Sequence, residues 1–146
     1  MAAIRKAKAV WNGELVKGQG NVTAESSGAY RELPVTWASR TERPDGKTSP
    51  EELLASAHAS CFAMALSFGL TNAGKPPQRL EVTATVTFEK VAEGFKVKSS
   101  ALEVQGSVPG LDAAGFQKAA EGAKDGCPIS QALKGNVELS VRATLA

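Results

Sequence analysis

Apolar and polar positions alternate with a period of two at both ends of the chain and lose that period in the middle. Near the start, Ala7, Ala9 and Trp11 alternate with Lys6 and Lys8, and Gly13, Gly18 and Gly20 cut the pattern into short pieces. Leu33, Val35 and Trp37 alternate again, so residues 3–37 read as extended, a meander of short strands joined by tight turns. A polar segment follows from Ser39 to Thr48, where Pro44-Asp45-Gly46 marks a turn and Arg40 and Arg43 are the arginines.

The aperiodic centre begins at Ser49-Pro50-Glu51-Glu52. It sets a hydroxyl at a helix N-cap, proline at the first helical position and a carboxylate three residues past the cap. Leu, Ala, Ser, Phe and Met then run on without lysine or arginine until Lys75, which predicts a helix buried on nearly every face, with Phe62, Met64 and Phe68 in the core. Gly74-Lys75-Pro76-Pro77 stops it. No segment is expected to reach the length of a membrane span, and the first residues lack the apolar run of a signal peptide.

Alternation returns at Leu80 to Phe88 and, less cleanly, from Phe95 to Val108, which together read as a hairpin about Glu93-Gly94 with one buried face. Asp112 caps a second helix to about Lys124, with Phe116, Ala119, Ala120 and Ala123 on one side. Gly126 ends it, Cys127-Pro128 begins a short helix through Leu133, and residues 137–145 alternate strictly as a last strand. The order is that of an α+β protein with helices packed on an antiparallel sheet, and the 146 residues read as one domain, 1–146.

Composition removes possibilities more than it adds them. The 17 basic and 15 acidic residues are interspersed, net charge is +2 and aromatics make up 5%, so nothing supports a nucleic-acid surface. The absence of a leader or span points to the cytoplasm, where two cysteines are either core residues or a pair that cycles between thiol and disulfide.

Cys127 stands between Gly126 and Pro128, at the N-cap of its helix, where free N–H groups and the helix dipole would lower a thiol pKa. Cys61 lies mid-helix in apolar surroundings, which alone would raise its pKa, and it needs a cation to become a nucleophile. Candidate cations are His58, three residues earlier, and the arginines of the 39–47 segment. A single histidine with two cysteines makes a poor zinc spacing, and His58 reads as a packed polar residue bonded to backbone. Residue types alone leave core cysteines and a redox pair both open.

The runs SPEELLASAHASCFAMAL at 49–66 and GCPISQAL at 126–133, with the W-x-G start at Trp11 and the VPGLD turn at 108–112, resemble the OsmC/Ohr family of osmotically induced and organic hydroperoxide resistance proteins. The AHASCF and RELPVTW segments look closer to the OsmC branch. The resemblance implies a thiol peroxidase that reduces organic hydroperoxides, and hydrogen peroxide more weakly, in oxidative and osmotic stress defence, without metal, haem or flavin. Cys61 would attack the peroxide and become a sulfenic acid, Cys127 would resolve it to a disulfide, and a dithiol, in some relatives a lipoyl protein, would reduce that. Arg40 matches the arginine that holds the thiolate and Glu51 the glutamate that pairs with it. Arg43 reads as solvated.

Glu51 precedes Cys61 by ten residues on one helix, about 15 Å along its axis at 1.5 Å per residue. If Glu51 and Arg40 serve a thiolate, a two-fold dimer would let them meet Cys61 of the partner subunit. The family's intertwined homodimer, with sheets around central buried helices, agrees with this. Two rivals stay open: a non-enzymatic stress or ligand-binding protein with an apolar cleft between helices, and a Cys61–His58 acyl-transfer enzyme.

Overall fold

The computed structural model describes residues 1–146. They group into two compact units, Met1–Leu53 and Leu54–Ala146. In the first, β1 (Ala7–Asn12), β2 (Gln19–Ala24) and β3 (Leu33–Val35) form an antiparallel sheet in the order β1-β2-β3. The expected extended run stops short of Trp37, which opens a five-residue helix, α1 (Trp37–Thr41). Thr36 and Ser39 explain the change. The Thr36 hydroxyl accepts from the Ser39 N–H, and the Ser39 hydroxyl accepts from the Thr36 N–H, a reciprocal cap that overrides the β preference of tryptophan.

The central helix, α2 (Pro50–Asn72), starts where its cap predicts, with the Glu52 N–H donating to the Ser49 hydroxyl at 3.1 Å. It ends on Gly74, whose φ of 74° is left-handed. Lys75 N–H reaches the Leu70 carbonyl and Gly74 N–H the Thr71 carbonyl, the paired bonds of a Schellman cap.

Burial of α2 differs from the expectation. In the second unit His58, Phe62, Leu66 and Leu70 form one buried stripe at four-residue steps, while Met64 and Phe68 are 68% and 70% exposed. A single three-stranded sheet with its helices has surface enough to cover one side of a helix, so the other apolar side stays open within one chain. The membrane expectation is also corrected: at 23 residues α2 is long and apolar enough, by length and composition, to cross a bilayer.

The second sheet joins β4 (Arg79–Val91), β5 (Gly94–Ser107) and β6 (Glu138–Leu145) in the order β4-β5-β6. β4 and β5 form the expected hairpin, with a bulge at Thr87/Phe88. β6, however, runs parallel to β5, so this sheet is mixed rather than antiparallel. The intervening α3 (Ala113–Gly126) and α4 (Pro128–Leu133) return the chain to the end from which β5 began, as a parallel crossover requires. Asp112 caps α3 through the Gly115 N–H at 2.7 Å.

The core of this unit gathers Phe62, Leu66 and Leu70 of α2, Leu102 and Val104 of β5, Val108, and Phe116 and Ala120 of α3, with Cys127 inside it. Gly106 permits the contact of α3 with the sheet, since a Cβ there would lie 2.4 Å from the Phe116 ring. Gly106→Val should lower unfolding free energy by about 1–3 kcal/mol through overpacking, read from denaturant unfolding; unchanged stability would mean that α3 does not sit on the sheet this closely.

Candidate active site

Cys127 ends α3 and opens α4, and its buried thiol donates to Cys61 Sγ at 3.0 Å. The two thiols, 66 residues apart in sequence, are both free. They differ in access: Cys127 is 0% exposed, whereas Cys61 is only half-buried. Burial pushes the Cys61 thiol up, its bond to Cys127 acts in the same direction, and the Ile129 backbone N–H, bonding to the Cys61 sulfur, opposes both.

Ile129 is the second residue of α4, so one of the donors that a helix start leaves unpaired serves Cys61. The expectation that these groups would serve the Cys127 sulfur is corrected. Cys127 makes no side-chain capping bond, Pro128 has no N–H to offer, and the Cys127 proton is directed at Cys61.

His58 is fully buried one helical turn before Cys61. Its Nδ1 lies 2.6 Å from the Ser100 hydroxyl and its Nε2 2.8 Å from the Ser130 hydroxyl, where a backbone partner was expected. Burial lowers its pKa, and a neutral ring donates at one nitrogen and accepts at the other, with hydroxyls able to complement either tautomer. Both nitrogens are engaged, which leaves neither to take the Cys61 proton or bind a metal. No cluster of three or more His, Cys, Asp or Glu side chains could hold a metal ion. Sequence reasoning missed both serines, although Ser100 shares the inward parity of Leu102 and Val104 in β5 and so stood out as a polar residue on an apolar face.

In the first unit, Arg40 of α1 holds Glu51 of α2 in a bidentate pair. Nη2 donates to Oε1 at 2.8 Å, and Nε lies 3.1 and 3.2 Å from the two carboxylate oxygens. The Glu51 side chain is 9% exposed and that of Arg40 31%. The guanidinium also lies 5.9 Å from the centre of the Trp37 ring, one turn earlier on α1. Arg43 is exposed. Beside this pair opens a cleft of about 410 Å³ whose walls are mainly apolar, among them Trp11, Leu15, Val22, Val35, Trp37 and Leu53, with Arg40 at its edge.

Fold and site together define an α+β protein with two reduced thiols in hydrogen-bond contact, one reachable and one sealed. The chain belongs to the OsmC-like protein family, whose model matches residues 43–142. It is 42% identical to Peroxiredoxin OsmC of Escherichia coli (strain K12) over 95% of this chain and 96% of that one. It is 30% identical to an organic hydroperoxide resistance protein of Xanthomonas axonopodis pv. citri over 64% and 65% of the two chains, in keeping with the expected OsmC branch. The crystal structure of OhrB of Bacillus subtilis, an organic hydroperoxide resistance protein, superposes with a TM-score of 0.75 at 25% identity, covering 95% of this chain and 98% of that one.

Because the folded state holds His58 neutral with a lowered pKa, the unfolded chain binds its proton first on acidification. The contribution of this group to stability is complete above about pH 6.5 and is lost as pH falls below that value toward the folded pKa. The thermal midpoint of the wild type should therefore drop between pH 7 and pH 5 more steeply than that of His58→Gln; parallel curves would mean that His58 is not buried in its neutral form.

Proposed function

We propose that this protein is a two-cysteine peroxidase that reduces organic hydroperoxides to alcohols in stress defence. The observation that carries this reading is the 3.0 Å contact between a reachable Cys61 and a sealed Cys127. The Cys61 thiolate attacks the peroxide O–O bond, taking one oxygen as a sulfenic acid while the other leaves as alkoxide and is protonated to the alcohol. The Cys127 sulfur then attacks the Cys61 sulfenic sulfur. The S–S bond forms, the S–O bond breaks, and the hydroxyl leaves as water with the Cys127 proton. A dithiol reductant, oxidised in turn to its own disulfide, restores both thiols by exchange.

Arg40 holds the Cys61 thiolate and polarises the peroxide oxygen, and Glu51 fixes the plane of the guanidinium by its bidentate bond. The apolar cleft beside Arg40 suits an alkyl group better than it suits hydrogen peroxide. The working form is a cytoplasmic homodimer in which Arg40 and Glu51 of one chain serve Cys61 of the partner subunit. Support comes from the open apolar side of α2, with Met64 and Phe68, and from β1, exposed along its whole length. A purely ligand-binding role gains nothing from placing two thiols in contact.

The deciding experiment follows cumene hydroperoxide consumption by the pre-reduced protein with dihydrolipoamide as donor. Cys61→Ser should abolish even the first turnover, and Cys127→Ser should still form a sulfenic acid; the reverse would exchange the roles, and full activity in both would remove the peroxidase. Arg40→Met should slow the first turnover roughly 100-fold, the scale of one lost charge-stabilising group, and an unaffected rate would take Arg40 out of the site. Phe68→Glu should shift the sedimentation of the protein from dimer to monomer, while a wild type that already sediments as a monomer would end the shared-site reading.

A further inference from the structure

His58, Ser100 and Ser130 are the only buried polar side chains of the second unit, and they bond one another through the two ring nitrogens. They come from three elements: His58 from the helix that carries Cys61, Ser100 from β5, and Ser130 from the short helix that Cys127 opens. Ser130 is also the only fully buried residue of α4, whose Pro128, Gln131 and Ala132 are exposed. Ile129 of the same helix packs against the core, and Ser130 adds to that apolar contact a directional hydrogen bond. An apolar residue could fill the same space, but it would leave the helix free to slide or turn on a greasy contact, whereas a fully satisfied polar pair selects one arrangement.

We propose that His58 is a positioning residue for the disulfide-forming step, holding α4 through Ser130 so that Cys127 stays within reach of Cys61. This rests on the roles given above to the two cysteines. The chemistry makes the demand specific. The sulfur atoms must close from 3.0 Å to about 2.05 Å as water leaves, with the Cβ–S–S–Cβ torsion near 90°. Attack of Cys61 on the peroxide, by contrast, needs nothing from α4 beyond the Ile129 N–H. If α4 drifts, the Cys61 sulfenic acid waits, and a second hydroperoxide can transfer its oxygen to give the sulfinic acid, which the dithiol does not reverse.

The test is a single turnover of the full-length protein with one equivalent of cumene hydroperoxide, in wild type, Ser130→Ala, His58→Leu and Ser100→Ala. Sulfenic acid is trapped with dimedone, and disulfide and sulfinic acid are counted by mass spectrometry. Ser130→Ala and His58→Leu should slow disulfide formation roughly 10- to 100-fold, the scale of an ångström of misplacement, and slow sulfenic acid formation by much less, since that step draws on α4 only through the Ile129 N–H. Both should also gather sulfinic acid under excess peroxide. Ser100→Ala removes an equally buried bond to the same ring but leaves the tie to α4, so it should lower the thermal midpoint without slowing the disulfide step.

A wild type that forms no disulfide would defeat the peroxidase reading itself. With disulfide formed in the wild type, three results would overturn the positioning role: Ser130→Ala and His58→Leu closing at the wild-type rate, both steps slowing together with lost stability, or Ser100→Ala slowing closure as much as Ser130→Ala.

Discussion

The structure of the second unit depends on the burial of one stripe of α2. Steps of four residues carry His58, Phe62, Leu66 and Leu70 along one side of the helix, and the last three pack with Leu102, Val104, Phe116 and Ala120. Each fully buried Phe or Leu contributes about 1.5–3 kcal/mol, so these three outweigh any single hydrogen bond in the unit. They set where α2 lies, and the polar contacts refine what it does there. Cys61 sits at the margin of the stripe, close enough to meet Cys127 and far enough from its centre to stay reachable.

Two opposing effects act on Cys61 within this unit. Burial and the neighbouring thiol disfavour its charge, and the Ile129 N–H favours it, with burial the larger effect. A guanidinium 4 Å away would contribute about 4 kcal/mol at an effective dielectric of 20, acting against the upward push of burial. Under the proposed reading, Arg40 supplies that charge, and its bidentate bond to Glu51 keeps the long side chain from spending the interaction on its own disorder.

The same α2 carries a contradiction that one chain does not resolve. Its open side holds Met64 and Phe68, large apolar groups that a lone soluble chain would gain by covering. In the first unit the sheet β1-β2-β3 has a first strand that is likewise exposed along its whole length. Both features are costly in isolation, and both are removed if two copies enclose their central helices together. That economy is the physical basis of the dimer in the proposed function.

Local chemistry determined much of this protein by itself. Ser49 and Pro50 start α2, Gly74 closes it, Asp112 caps α3, and alternation in residues 80–88 and 137–145 sets strands, because caps, turns and pleats depend on neighbours within a few residues. The cap at Thr36 and Ser39 was equally local, but the strand preference of Trp37 hid it. Only the tertiary structure decided that β6 runs parallel to β5, that Ser100 and Ser130 complete His58, that the α4 donor goes to Cys61, and that Met64 and Phe68 stay outside. These depend on which surfaces remain after the core has closed. The meeting of two thiols 66 residues apart is of the same kind, since chain connectivity leaves their distance open and only packing of α2 against α3 and α4 sets it.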